Sequence, residues 1–359
     1  MKKISIILLK SILSIFILVV AFVVTSYIHL SIIRSKDLKI QNKRLDKIDS
    51  YYDNDKSYNY LENSEEDLDL IPYNETRFLA SHNSYKKKGS IIGKLFVGLG
   101  DSFSEAKALN YSYKNLTEQL QNGIYSFELD LRYRKDKFEV THVPIVDNSS
   151  TTVSFSNGLE EIKTYLDKSE NSFPILVILE IKNDFMWLDP FIKDIKDDEF
   201  IKLENLLIDT LGDKLYKPSD MIENYDSLID RINDKGWPLV SKLKGKVMFV
   251  IHAGGYANNY LNLKQNNEQV LFSATYKDSR KDNAPFIIHN DLDVLSINEL
   301  VSLGYMVRTR IGETLSYTEN DLNMAMASNA QILTSDFTVA RSDLKEYLYL
   351  KDKYTIIRR

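Results

Sequence analysis

Along the chain, apolar and polar positions alternate in three distinct ways. From about Ser11 to Ile33 the residues are almost all apolar or small. As a helix this run crosses a hydrocarbon core about 30 Å thick, and it outlasts the apolar stretch of an ordinary cleaved signal. Lys2, Lys3 and Lys10 precede or interrupt it, Arg34, Lys36 and Lys39 follow it, and no small-x-small cleavage site comes after. The pattern predicts a transmembrane signal anchor over residues 1–35 with the rest of the chain exported; a cleaved secretory signal is the alternative and exports the same body. From Ser35 to about Leu70, Lys, Asp, Asn, Glu, Ser and Tyr dominate, which predicts a charged linker over 36–72, a tether, helical in part, carrying the next domain.

From Tyr73 the texture changes again, to short apolar runs that each end in polar residues: FLASHN (78–83), YSFELDLRY (125–133), FEVTHV (138–143), PILVILEIK (174–182), GKVMFVIHAGG (245–255), PFIIHND (285–291), YMVRTR (305–310) and AQILTSDF (330–337). ILVIL and VMFVI are apolar at every position, as in strands covered on both faces. Segments of helical spacing lie between the runs, among them SNGLEEIKTYLDK, LDPFIKDIKDDEFIKLENLLIDTLG, SINELVSLG and TENDLNMAMASN. Strand and helix in repeated alternation mean an α/β fold. His82, Glu180, His252, His289 and Asp336 all stand at the C-terminal ends of their runs, the end at which a (β/α)8 barrel gathers its functional groups. No Gly-rich phosphate fingerprint follows a strand, which disfavours an open doubly wound sheet. The expectation is an irregular TIM (β/α)8 barrel over about 73–345, within a catalytic domain of 73–359.

Composition narrows the chemistry. A net charge of −5 provides no basic field for nucleic acid. The absence of cysteine removes thiolate zinc, disulfides and cysteine nucleophiles, so a bound metal has only oxygen and imidazole ligands to draw on. No GxSxG elbow supports a serine nucleophile.

In SFELDLRY, strand periodicity sets Glu128, Asp130 and Arg132 on one face. Two carboxylates about 7 Å apart on one strand need a positive partner. Glu180 closes an apolar run, where an unpaired charge is costly. Lys182 on the same strand face is one answer, and a shared metal is the other. Asn83, Glu128, Asp130 and Glu180 together form a hard oxygen set that suits Ca²⁺ better than Zn²⁺. His82 and His142, each ending a run, could flank such a metal as the two proton-handling groups of phosphoryl transfer. Each alone is equally a satisfied strand-end histidine. Lys86, Lys87 and Lys88 read as a solvated loop, with anionic lipid at the rim as the alternative.

In order and approximate spacing, ASHNSY, FELDLRY, THVPIVD and ILEIK resemble the catalytic half of the phosphatidylinositol-specific phospholipase C superfamily. GWPLVSKLKGKVMFVI, GYMVRTRIGET and AQILTSDF extend the resemblance to its bacterial calcium-dependent branch, over about Arg77–Arg341. The resemblance implies a phosphoric diester hydrolase that cleaves phosphatidylinositol or a related phosphoinositide to diacylglycerol and an inositol (cyclic) phosphate. It implies His82 and His142 as the acid/base pair, and Asn83, Glu128, Asp130 and Glu180 as Ca²⁺ ligands. Lys182, Arg308 and Arg310 are candidate contacts to phosphate or inositol, and Asp336 a support behind them. Pleckstrin, EF-hand and C2 modules are not visible, and no protein partner is implied. The expected setting is a membrane surface, with the catalytic domain outside the cell.

Two rival readings stand beside this one. A glycerophosphodiester phosphodiesterase is a related barrel, but its first histidine sits in His-Arg-Gly, whereas Asn83 follows His82 here. A membrane-tethered barrel that binds Ca²⁺ or a headgroup without chemistry is the other.

Overall fold

Buried backbone must pair, and in the computed structural model the short apolar runs after Tyr73 do so by joining edge to edge until the last strand meets the first. The structure describes residues 2–52, 68–169, 171–313, 315–345, 347–348 and 356–358. Its strands are β1 (Thr76–Ser81), β2 (Ser126–Arg134), β3 (Lys137–Val140), β4 (Ile175–Ile181), β5 (Ile192–Lys193), β6 (Val247–Ile251), β7 (Phe272–Tyr276), β8 (Phe286–Ile288), β9 (Met306–Arg310), β10 (Ile332–Ser335) and β11 (Ile356–Arg358). The parallel set β1-β2-β4-β6-β7-β8-β9-β10 returns to β1, giving the expected TIM-type barrel. The barrel is irregular: β3 and β5 pair antiparallel with β2, and β11 antiparallel with β1. Six registered pairs join β2 to β4 but only Ala80↔Ser126 and Ser81↔Phe127 join β1 to β2, so the closure is one of two short seams, the β6–β7 joint being the other.

Two strands differ from the apolar pattern. The run 138–143 folds back as β3, so His142 stands beyond a hairpin and not at the end of a barrel strand. The eighth barrel strand is β7, FSATY, whose alternating Ser273 and Thr275 interrupt its apolar character although both are buried.

Among the helices, α1 (Lys2–Leu45) precedes the barrel, while α2 (Ile91–Gly100), α3 (Phe103–Ala108) and α4 (Leu116–Gln121) fill the long β1–β2 connection. Two long helices follow, α5 (Phe155–Lys168) and α6 (Asp197–Leu211). Ser154 caps α5 by accepting from the Asn157 amide, and Phe155, Leu159, Ile162 and Leu166 recur at helical spacing to bury one face. Shorter helices over 218–221, 228–235, 240–243, 255–263, 294–302 and 319–327 complete the outer layer.

The helix of the apolar span continues beyond it to Leu45, across a polar stretch of helix-forming Lys, Leu, Gln and Arg without proline or glycine. Ser26, Leu30, Asp37, Gln41 and Arg44, spaced to share one side of α1, are buried against the barrel domain. Residues 53–67 of the expected tether lie outside the described residues.

At the N-terminal ends of the strands, Tyr73, Phe78, Tyr125 and Phe173 stack edge and face, Phe173 lying 5.3 to 5.7 Å from the other three ring centroids. This aromatic cluster packs the base of the barrel and continues through Trp237, 6.4 Å from Tyr73, to Phe286. Phe173→Ala is expected to cost about 3–5 kcal/mol of unfolding free energy, measured by chemical denaturation, because rings on several strands cannot collapse together into the cavity.

Candidate active site

The mouth of the barrel is built from the turn that leaves β1. There the Ser84 amide donates to the Glu128 carbonyl at 2.9 Å, the Glu128 amide donates to Ser84 Oγ at 2.9 Å, and Ser81 Oγ donates to Gln119 Oε1 at 2.8 Å. Asn83 takes a left-handed conformation (φ 48°), which asparagine tolerates better than most residues. The pinned turn holds His82 and Asn83 above the inward face of β2.

Each histidine is backed by an aspartate, and each aspartate by a cation. His82 Nδ1 lies 3.0 Å from Asp336 Oδ1, and Arg310 donates to Asp336 Oδ2 at 2.6 Å. His142 Nδ1 lies 3.0 Å from Asp147 Oδ2, and Lys86 donates to Asp147 Oδ1 at 2.5 Å. Burial would raise both aspartates, but the flanking cation and imidazole outweigh it: Asp336 is held at about 2, and Asp147 below its ordinary value. With Nδ1 committed to a carboxylate, Nε2 is the nitrogen each ring offers to a substrate.

The four expected metal ligands come together between these two pairs. Glu128 and Asp130 project from one face of β2, and Glu180 of β4 is in register with Asp130. Glu128 faces the His82 side, with Oε1 3.7 Å from Nε2, and it accepts from Arg308 at 2.5 Å. Burial opposes its ionisation, but Arg308 and His82 prevail and hold it at about 2. Asp130 differs. Burial pushes it up to about 6; Lys182 and His142 pull it down, but Glu180 and Glu128 add to the rise.

Both Asp130 carboxylate oxygens and Asn83 Oδ1 are buried without a hydrogen-bond partner, although the Tyr85 and Tyr111 hydroxyls lie beside them. Unsatisfied buried oxygens on a carboxylate and an amide are the donors a hard cation takes up, so the set fits Ca²⁺. Glu180 and Glu128 are meanwhile engaged by Lys182 (2.6 Å) and Arg308, and among the described residues no three carboxylate or imidazole groups form a ready cage.

Of the candidate substrate contacts, Lys182 stands 2.6 Å from Glu180 and 3.8 Å from Asp130, Arg308 is buried on Glu128, and Arg310 divides its guanidinium between Asp336 and the neighbourhood of His82. His289 meets Ser296 at 3.2 Å behind the site. His252 lines a cleft of about 990 Å³ beside Glu180 and Lys182, which continues the mouth toward Tyr256 and Asp194.

The expectation of a solvated Lys86–Lys88 loop fails at its first residue. Lys86 is wholly buried on Asp147, Lys87 pairs with Asp37 of α1, and Lys88 alone extends toward solvent, 3.5 Å from Asp343. Asp147, the last residue of THVPIVD, is the partner of His142. Arg132 was also missed: fully buried, it donates to the carbonyls of His142 (2.6 Å) and Asp184 (2.7 Å) and ties the His142 loop to the end of β4. Its place on the Glu128–Asp130 face was the one available signal.

A family model for Ca²⁺-dependent phosphoinositide phospholipase C matches residues 131–358. That span contains His142, Glu180, Lys182, Arg308, Arg310 and Asp336, whereas His82, Asn83, Glu128 and Asp130 precede it. Among solved structures, a calcium-dependent phosphoinositol-specific phospholipase C from a Gram-negative bacterium, Pseudomonas sp., superposes with TM-score 0.57 at 15% identity, over 82% of this chain and 97% of that one. Its myoinositol complex gives 0.55 at 15% identity, over 81% and 96%. A Ca²⁺-dependent phosphatidylinositol-specific phospholipase C from Streptomyces antibioticus gives 0.52 at 18% identity, over 74% and 95%. No curated protein matches the chain. At these identities the solved structures establish a shared barrel. The family match adds the class of chemistry, that of a phosphodiesterase. The chain belongs to the Ca²⁺-dependent phosphoinositide phospholipase C family.

Lys86→Met tests the arrangement behind His142. It leaves Asp147 buried with a single imidazole partner, and should lower the unfolding free energy by about 3–5 kcal/mol in a denaturant titration, whereas the same change at a solvated loop lysine would alter it by about 0.5 kcal/mol or less.

Proposed function

We propose that this chain is a membrane-anchored phospholipase C that cleaves phosphatidylinositol or a related phosphoinositide into diacylglycerol and an inositol phosphate, with His82 and His142 as its proton-handling groups. The observation that carries the reading is the paired arrangement of two aspartate-backed histidines on either side of a buried carboxylate set. In this reading the inositol 2-hydroxyl attacks phosphorus and the phosphorus–glycerol oxygen bond breaks. The hydroxyl proton passes to a β2 carboxylate, Glu128 or Asp130. His142, entering turnover with both ring nitrogens protonated, gives its Nε2 proton to the departing glycerol oxygen while Asp147 holds the ring in place. His82, oriented by Asp336, donates from Nε2 to a phosphoryl oxygen, and Arg310 adds positive charge beside it. The first inositol product is a cyclic phosphate, which water can open later.

Asn83, Glu128, Asp130 and Glu180 would hold Ca²⁺. When bound, the ion would neutralise phosphate charge and ease ionisation of the attacking hydroxyl. Lys182 pairs with Glu180 and Arg308 with Glu128, and Lys182, the more accessible of the two, is the better placed to turn to the phosphate.

His82→Ala and His142→Ala should each lower turnover of phosphatidylinositol with Ca²⁺ by about 10²–10⁴-fold in a headgroup-release assay; wild-type turnover in either variant would remove the assignment. Ca²⁺ binding should depend on pH in a definite direction. With Asp130 near 6 in the metal-free protein, a proton competes with the ion below that pH. Calorimetric titration should show up to about one proton released per ion near pH 5, none near pH 8, and an apparent affinity that falls as pH drops through 6.

A further inference from the structure

The anchor and the barrel mouth point the same way. Following α1 backward from its C-terminus, Arg44 pairs with Glu161 in the body of α5 at 2.6 Å. Gln41 next exchanges hydrogen bonds with Ser154, the residue that caps the start of α5. Asp37 then accepts from the Ser150 amide at 3.2 Å and from Lys87. Finally the Leu30 carbonyl accepts from Asn148, the residue after Asp147, at 3.0 Å. These contacts climb the outer wall of the barrel from the middle of α5 to the loop behind His142. About two turns further, Phe22 meets Phe96 of α2, ring centroids 6.1 Å apart. The run Leu9–Ala21 is exposed throughout, about 20 Å of mostly apolar helix continuing past the contact with α2.

What stands beside that projection is apolar too. Ile91 and Leu99 of α2 are 82% and 69% exposed, Phe103 at the start of α3 is 65% exposed, and Trp187, just past β4, is 80% exposed. All four follow the C-terminal ends of strands. Nor is α2 a loose flap: a Cβ on Gly93 would come within 2.2 Å of the Val146 carbonyl, so the helix lies directly on the His142–Asp147 loop. Exposed aliphatic and aromatic residues at the level where an apolar helix leaves the protein fit the boundary of a bilayer.

We propose that α1 is a rigid strut that seats the barrel mouth-down on the bilayer it enters, with α2 at the lipid interface, so that the enzyme draws substrate from that same bilayer and not from an opposing one. The occupant of the exposed α2 face is therefore lipid. The substrate part of this inference rests on the phospholipase reading; the orientation does not. A coil tether would let the mouth turn to either membrane, whereas a helix docked along its last twenty residues fixes one.

The test uses the full chain in phosphatidylcholine vesicles. In one arm phosphatidylinositol is in the same vesicles as the protein; in the other it is in separate, protein-free vesicles. Turnover should be about 10²-fold or more faster in the first arm, from effective concentration alone. In parallel, because the chain has no cysteine, Leu99→Cys and Leu303→Cys can each carry a polarity-sensitive dye. Leu303, just before β9, lies at the end of the barrel remote from the mouth. The dye should report lipid at 99 and water at 303. Equal turnover in the two arms, or water at position 99, overturns the proposal. Failure to cleave monomeric short-chain phosphatidylinositol with Ca²⁺ would instead sink the phospholipase reading, and the dye pair would still decide the orientation.

Discussion

The mouth of this barrel is organised by the cost of keeping carboxylates out of water. Glu128 and Asp130 stand on one strand with Glu180 beside Asp130, and the barrel wall removes most of the solvent that would screen them. Glu128 is compensated by Arg308 and held at about 2, while Asp130 is left rising to about 6, its oxygens without a hydrogen bond and only Lys182 nearby at 3.8 Å. The protein thus keeps one carboxylate satisfied and one in deficit at the centre of its site. Under the proposed function a hard cation would resolve that deficit, which the neighbouring basic groups resolve only in part. The family's calcium dependence therefore has a local physical counterpart in this chain.

The two histidine pairs extend the same logic outward. Each imidazole is fixed by a buried aspartate, and each aspartate is balanced by a cation drawn from a different element: Arg310 from β9 and Lys86 from the segment after β1. Four separate stretches of chain thereby hold the orientation of two rings. The loop carrying Asp147 is also the loop on which α1 rests, through Asn148 and Ser150. Helix α1 and the His142 site consequently rest on the same loop, and neither is an appendage of the other.

Much of this was legible in the amino-acid order, for reasons that can be named. ILVIL and VMFVI announced covered parallel strands because nothing polar interrupts them, and His82 and Glu180 drew notice because they close such runs. β7 was not found because Ser273 and Thr275 break its apolar character while packing inside. Asp147 was seen but not understood, since its partners His142 and Lys86 lie 5 and 61 positions away and only folding brings them together. Lys86 looked solvated because composition cannot tell a buried lysine with a carboxylate from an exposed one. The continuation of α1 past residue 35 was hidden by its polarity: charge there marks the face that docks on the barrel, whereas in a sequence it reads as a tether.

The narrow joint between β1 and β2 gives the turn after β1 a mechanical duty. Two registered pairs close the barrel there, and the next stitches in line are the hydrogen bonds between Ser84 and Glu128, within the segment that carries His82 and Asn83. The same few peptide units keep the cylinder shut and aim the groups at its mouth. Breathing of the fold at this seam is therefore also drift of the site, and the two are one motion.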